Sequence, residues 1–453
     1  MNVKEINRVY FIGIGGIGMS ALARFFRERG AMVSGYDKTE TDLTKQLMSE
    51  GMNIHFTDDA KLLDNKTQLV IYTPAIPKDH TELNWYLEHN YPVYKRSDVL
   101  QWITGSMYAV TVAGTHGKTT ISTMIAFLLR ETGFGCNAFL GGISVNYGNN
   151  YWSSENDTAV IEADEYDRSF LKLSPDIAVL TAIDPDHLDI YGSKEAIDEA
   201  FIEFTNKISE EGFLAIKTHQ SINDNLPVLD KAFYSLHDTE ADVYCTGYRI
   251  VDGGYIFNVS YFGQEIKDFH LNIGGFHNIE NAIAAITIAI ELKITEENIK
   301  AALASFKGIK RRFEKIFEDD KVTFIDDYAH HPEEIRVFLE SVRELYPGKK
   351  LTAVFQPHLF SRTRDLADGF AKALSIADEV ILLDIYPARE LPMPGVTSEL
   401  IFNLLTSRDK MLISKDNLVE TIRAKHDLEV LVTIGAGDID KYLGEIKEVF
   451  LAK

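Results

Sequence analysis

A chain of 453 residues is about three times a typical ~150-residue domain, which predicts two to four domains rather than one continuous core, with three as the working number. Apolar residues at 45% and charged residues at 25% supply ample core material and exclude a largely disordered or fibrous protein. The 68 acidic against 46 basic residues, a net charge of −22, exclude a protein that holds DNA or RNA by charge alone, so any phosphate it binds is held locally. Cys136 and Cys245 are too few for a disulfide framework and form no C-x-x-C pair, which fits a reducing compartment. The opening MNVKEINRVYFIGIGGIG has no signal-peptide cleavage site, and no later run reaches ~18 apolar residues. The expectation is a soluble, cytoplasmic protein with no membrane insertion.

From residue 8 to about 107, short apolar runs alternate with amphipathic stretches (RVYFIGIG, MSALARFFRERG, AMVSGYD, QLVIYTP), which is βαβ rhythm. The rhythm restarts at YAVTVAG and KTTISTMIAFLLR, and TAVIEAD and DIAVLTAID add two buried-strand candidates to a second parallel sheet. Between about 240 and 274 the turn-punctuated segments predict antiparallel hairpins attached to that sheet, followed by a helix at about 277–292. KGIKRR at 307–312 reads as a short, exposed, basic linker. Beyond it KVTFIDD, EEIRVFLESVREL, KLTAVFQ and DEVILLDIY begin a third α/β domain. The expected fold class is α/β in three domains: Rossmann-like over 1–107, a central P-loop domain with an antiparallel β portion over 108–307, and Rossmann-like over 308–453.

Two phosphate-binding signatures stand out. Gly13, Gly15 and Gly18 form G-x-G-x-x-G directly between a strand and a helix, where glycines admit a diphosphate to backbone N–H groups at a helix N-terminus. Asp37 ends the next strand, where an acid commonly accepts a hydrogen bond from a ribose hydroxyl. Alone, this loop suggests NAD, or glycines that merely make a tight turn. The second signature, GTHGKTT at Gly114, Thr115, His116, Gly117, Lys118, Thr119 and Thr120, is a compact P-loop: backbone amides cradle phosphates, Lys118 reaches the β/γ oxygens and Thr119 suits Mg²⁺. A simple dehydrogenase has no use for it, so the first loop suits a nucleotide-linked substrate and the second ATP.

Two strand ends carry acids, EADEYD (Glu162, Asp164, Glu165, Asp167) and IDPDHLD (Asp184, Asp186, His187, Asp189). Both are expected at the carboxyl edge of the second sheet, beside the P-loop. Magnesium wants hard oxygen ligands, and one or two carboxylates plus phosphate oxygens suffice. His187 fits a metal site or a polar loop equally, and the acids also fit a solvated surface.

GTHGKTT, EADEYDRSF and DPDHLDIY, followed by GGFHNIENAIAA, GIKRRFE and DDYAHHPEE, together resemble the ATP-dependent Mur ligases of bacterial cell-wall synthesis over nearly the whole chain. Within that family, FIGIGGIGMSALA, the TPAIP segment and FQPHLFSRTRDL resemble the members that add L-alanine to the lactyl carboxylate of UDP-N-acetylmuramate. The resemblance implies an acyl phosphate formed with ATP, attack by the amine, and release of ADP and phosphate. It implies Lys118, Glu162, His187 and Arg312 as catalytic residues, with Thr119, Glu162 and His187 around Mg²⁺. Asn278 and Asn281 would lie near the nucleotide, or form a polar helix cap, and Arg312 and Asp327 would close over ATP. Gly13, Gly15, Gly16, Gly18, Asp37, Thr73 and Ala75 would bind the UDP moiety. His330 and His331 are candidates for the amino acid's neighbourhood or caps of the helix after Pro332. Arg362 and Arg364 are candidates for a substrate carboxylate or diphosphate, or surface charges.

Two departures bear on this reading. Leu359 stands where the alanine-adding relatives often carry arginine, and Tyr166 makes EADEYD resemble the recycling member of the family, which joins a whole tripeptide to the same UDP sugar. Neither Lys194 nor Lys207 matches the family's carbamylated lysine. The alternatives from other classes are a nicotinamide-dependent oxidoreductase, which leaves GTHGKTT unused, and a nucleotide-sensing binding protein, which leaves the acid cluster unused.

Overall fold

The computed structural model describes residues 3–184, 188–227, 230–388 and 390–452. The chain forms two compact units, Met1–Gly247 with Phe257–Phe269 and Glu280–Phe306, and Tyr248–Ile256 with His270–Ile279 and Lys307–Lys453. Three sheets carry a three-domain α/β fold. No helix among the described residues is long and apolar enough to cross a membrane.

The first sheet has five strands in the order Asn53–His55, Met32–Tyr36, Arg8–Ile12, Leu69–Tyr72 and Val93–Lys95. Every neighbouring pair is parallel. The central strand, RVYFI, is an unbroken apolar run because both of its faces are covered. Gly13 follows it with φ +85°, which lets the chain turn sharply into the helix Ile17–Glu28.

The second sheet orders its ten strands as Gln264–Leu271, Gly254–Tyr261, Val243–Val251, Asp230–Ser235, Phe213–Lys217, Ile177–Leu180, Tyr108–Ala113, Thr158–Glu162, Asn137–Phe139 and Tyr151–Trp152. Tyr108–Ala113 is parallel to both its neighbours, with Val112 opposite Glu162 and Ala113 opposite Leu180. The P-loop and the two acid-bearing strand ends therefore open at one edge. The expected hairpins join at Asp252–Gly253 and Phe262–Gly263, where both turn residues take positive φ, the signature of a type I′ turn that matches strand twist.

These two sheets share one hydrophobic core. Phe25, on the helix after the first glycine loop, lies 5.4 Å in ring centroid distance from Phe139 and 6.3 Å from Tyr151 of the second sheet. Beside them the nearly buried Arg24 pairs with Glu50 at 2.8 Å and donates to Asn150.

The second unit carries a six-stranded sheet in the order Glu314–Glu318, Thr323–Asp327, Val430–Ile434, Leu351–Phe355, Glu379–Leu382 and Asp409–Leu412, parallel except for the first pair. KGIKRR is not the exposed linker its composition suggests. Ile309 is buried, and Arg311 Nε donates to Asp326 Oδ2 at 3.0 Å. Asp326 is fully buried, and a buried carboxylate needs a counter-ion; the basic segment turns inward to supply it.

Candidate active site

The P-loop runs from Ala113 to the helix Lys118–Glu131, whose N-cap Gly117 takes φ +81° and provides no side chain to the first-turn amides. A Cβ on Gly114 would stand 2.0 Å from Thr181 Oγ1, so the loop passes too close to the neighbouring strand end for any residue but glycine. Thr115 N and Oγ1 both donate to Ala182 O, at 2.7 and 3.0 Å, and Asp184 N donates to Thr115 Oγ1 at 3.2 Å. His116 Nε2 lies 3.3 Å from Asp184 Oδ2. Asn281 brings Oδ1 to within 2.9 Å of where a Gly117 Cβ would stand, so this asparagine sits against the loop.

Two glutamates from EADEYD meet the start of that helix. Thr119 Oγ1 donates to Glu162 Oε1 at 3.1 Å, and Gly141 N donates to Glu162 Oε2 at 3.1 Å. Lys118 Nζ lies 2.9 Å from Glu165 Oε1 and 2.7 Å from Oε2, and also donates to Gly114 O at 2.7 Å. Glu165 is almost fully buried, and desolvation pushes its pKa up although the lysine pulls the other way. Sequence reasoning grouped Glu165 with the metal acids; the structure gives it to the lysine instead. His187, the third expected metal ligand, lies outside the described residues.

In the first sheet, Gly13 N and Ile14 N donate to Tyr36 O at 2.8 and 3.1 Å, and Gly15 N donates to Asp37 Oδ2 at 2.8 Å. Asp37 thus holds the loop itself in this structure. Thr73 packs against Gly13, where a Cβ would meet Cγ2 at 2.7 Å. Gly18 meets Arg96, the first residue of the helix Arg96–Thr104, which reaches across to Asp164 Oδ2 at 3.7 Å. Arg96 was not found from sequence: it belongs to no motif. One signal was available, since a cation in the first helical turn opposes the macrodipole and calls for another explanation.

Glycine loop and acid edge face the same cavity of about 120 Å³, lined by Ile17, Gly18, Arg96, Gly141, Glu162 and Asp164 among others. The cavity sets the start of the glycine-loop helix, an arginine and carboxylate oxygens around one space. A helix N-terminus and an arginine suit an anion there.

Within the second unit, Asp327 accepts from Phe313 N at 2.7 Å and Ala329 N at 2.8 Å, and burial raises its pKa to about 6. Arg312 lies over the Tyr328 ring at 5.6 Å. Burial lowers the pKa of His330, with the cations Arg362 and Arg312 acting the same way and Glu334 opposing them, and its Nδ1 lies 3.0 Å from Tyr328 O. His331 is the N-cap of the helix Pro332–Leu345, accepting from Glu333 N at 3.4 Å. Arg362 and Arg364 differ: Arg362 Nη1 is buried and meets no hydrogen-bond acceptor among the described residues, whereas exposed Arg364 pairs with its neighbour Asp365. Asn278 donates to Gly274 O at 2.6 Å. Leu359 is the N-cap residue of the helix Phe360–Leu374 at φ +71°, a strained conformation for a branched side chain.

Three family models match in chain order: "Mur ligase family, catalytic domain" over residues 8–108, "Mur ligase middle domain" over 112–289 and "Mur ligase, glutamate ligase domain" over 311–437. The chain belongs to the Mur ligase family, and it is an ATP-dependent ligase as members of that family are. Its relatives include the UDP-N-acetylmuramate–L-alanine ligases of Flavobacterium johnsoniae, 46% identical over 99% of both chains, and of Phocaeicola vulgatus, 48% identical over 98% of both. Among solved structures, the UDP-N-acetylmuramate–alanine ligase of Thermotoga maritima matches 98% of this chain and 99% of its own, with a TM-score of 0.85 at 28% identity. The murein peptide ligase of Psychrobacter arcticus shares the fold, with a TM-score of 0.69 at 24% identity over 98% of each chain.

Proposed function

We propose that this chain joins L-alanine to the lactyl carboxylate of UDP-N-acetylmuramate, converting ATP to ADP and phosphate, in the synthesis of peptidoglycan precursors in the cytoplasm. The observation that carries the reading is a cavity shared by the Gly13–Gly18 loop and the Glu162 strand end. Relatives that bear the alanine-ligase name match the chain end to end at 44–48% identity, which favours alanine over a recycled tripeptide despite Tyr166.

A carboxylate is a poor acyl donor because oxide is a poor leaving group. Phosphorylation by ATP makes phosphate the leaving group; the amine then attacks, and a tetrahedral intermediate collapses to the amide. Catalysis of this kind is mostly positioning and charge neutralisation around the γ-phosphoryl. In this reading the Gly114–Thr120 loop cradles the phosphates, and Lys118 steadies the β/γ oxygens. Gly13, Gly15, Gly16, Gly18, Asp37, Thr73 and Ala75 hold the UDP moiety, and Arg96 faces the substrate's anionic end. Asn281 borders the nucleotide loop. Arg312 and Asp327 are read as nucleotide-binding residues and His330 and Arg362 as amino-acid-binding ones, with the Nη1 of Arg362, which meets no acceptor among the described residues, suited to a carboxylate.

The Thr119 hydroxyl and Glu162 carboxylate, 3.1 Å apart, are hard oxygen donors that fit Mg²⁺, which would complete its shell with phosphate oxygens and water. Bound there, the ion would neutralise charge on the phosphates.

Phosphate release measured with ATP, Mg²⁺ and UDP-N-acetylmuramate against L-alanine, glycine, L-serine and the recycling tripeptide tests the assignment. L-alanine is expected to be best and both acceptor and donor to be required. Rapid release with ATP alone, or preference for tripeptide, overturns it.

A further inference from the structure

The ammonium of Lys118 has three N–H donors and three hydrogen-bond acceptors around it, Gly114 O at 2.7 Å, Glu165 Oε1 at 2.9 Å and Thr115 O at 3.5 Å, with Glu165 Oε2 also 2.7 Å away in the ion pair. In this conformation no donor is left for a phosphate. The pair is also dry, with the lysine side chain 13% and the glutamate 4% exposed, so water does not stand in when the contact breaks. Separating a buried ion pair without a replacement acceptor is costly, whereas a triphosphate oxygen supplies one. The partner that moves is the lysine, because Glu165 is pinned through its main chain. Tyr191 Oη donates to Glu165 O at 2.7 Å, and Arg168 N donates to the same oxygen at 3.0 Å. Glu162, three residues earlier, is occupied separately by Thr119 and Gly141.

We propose that Glu165 is a positioning residue for Lys118: it holds the ammonium in the resting enzyme and yields it to the triphosphate, so that nucleotide binding is an exchange of one acceptor for another. The proposal rests on the reading that this P-loop takes ATP. Glu165 therefore weakens ground-state nucleotide binding, and keeps the lysine aligned at the loop when no nucleotide is there.

Calorimetry with AMP-PNP and Mg²⁺ tests this on the full chain. Glu165→Gln keeps the shape and one acceptor but removes the charge. It is expected to tighten the nucleotide Kd by ~fivefold or more, the worth of one charge-assisted contact. In turnover the gain appears as a lower KM for ATP. An unchanged or weaker Kd, or a loss confined to kcat with KM unaltered, overturns the exchange. A tightening of equal size in a Lys118→Met background also overturns it, because Glu165 would then merely repel the triphosphate. Should the variant not fold, the wild-type complex decides: a crystal structure with AMP-PNP is expected to show Lys118 Nζ beyond hydrogen-bond distance of at least one Glu165 oxygen. Both oxygens retained with nucleotide bound refutes the exchange alone, whereas wild-type protein that binds no AMP-PNP removes the ATP reading as well.

Discussion

Gly18 lies so close against Arg96 that a methyl group on it would meet Nη1 at 2.3 Å. The clash falls on the far end of a flexible side chain, so Gly18→Ala is expected to fold and to push the guanidinium aside. The expected result is a KM for UDP-N-acetylmuramate raised ~tenfold, about the worth of one charge-assisted hydrogen bond, with kcat little changed because a binding contact serves ground and transition states alike. Steady-state kinetics with the sugar nucleotide varied checks it; an unaltered KM means that Arg96 does not face that substrate.

Lys118→Ala is expected to lose roughly a hundredfold or more in kcat, ~3 kcal/mol of transition-state stabilisation, as removal of a preorganised charge partner does. It also strips the buried Glu165 of its counter-ion, so the variant is expected to melt below the wild type. Phosphate release and thermal denaturation measure the two effects, and near-normal turnover in a folded variant refutes the role.

The two arginines of SRTRDL are expected to separate cleanly. Arg362→Ala, which removes the buried Nη1 that meets no acceptor among the described residues, is expected to raise the KM for L-alanine by ~tenfold or more, while Arg364→Ala, at an exposed pair, stays within about twofold. Amino-acid titrations of both variants read this directly, and equal effects on KM count against it.

A buried acid on the helix Thr81–Glu88, against the first sheet, sets a pH dependence of stability. Glu82 accepts from Tyr10 Oη at 2.6 Å and from Asp59 N at 3.1 Å, and burial raises its pKa from 4.5 to about 7. The folded state therefore keeps a proton that the unfolded chain releases. Its contribution is fully present below pH 4.5 and is lost as the pH climbs through 7, a change of about 3 kcal/mol at most. Glu82→Gln, which has no proton to lose, is expected to flatten this part of the curve. Urea unfolding across pH 4.5 to 8 in both proteins checks it.

The sequence made both glycine loops legible because glycine spacing, a strand before and a helix after are local features. It made the Glu162 strand end legible for the same reason. What it concealed depends on contacts distant along the chain. Arg96 is a lone basic residue in YKRSDVL until Gly18 and Asp164 close on it. Glu165 and Glu162 read alike in EADEYD, and only the fold assigns one to Lys118 and the other to Thr119. KGIKRR was misread because composition reports charge but not the buried Asp326 that attracts it. His331 read either as a site candidate or as a cap of the helix after Pro332, and it is the N-cap of that helix.

Because Phe25 and Phe139 sit in one core, the glycine loop and the P-loop rest on a common cooperative block rather than on two independent ones. Neither sheet is then expected to melt on its own. Amide exchange that needs this block to open should then slow together on both sides when a ligand occupies either loop, by mass action alone and without any change of shape.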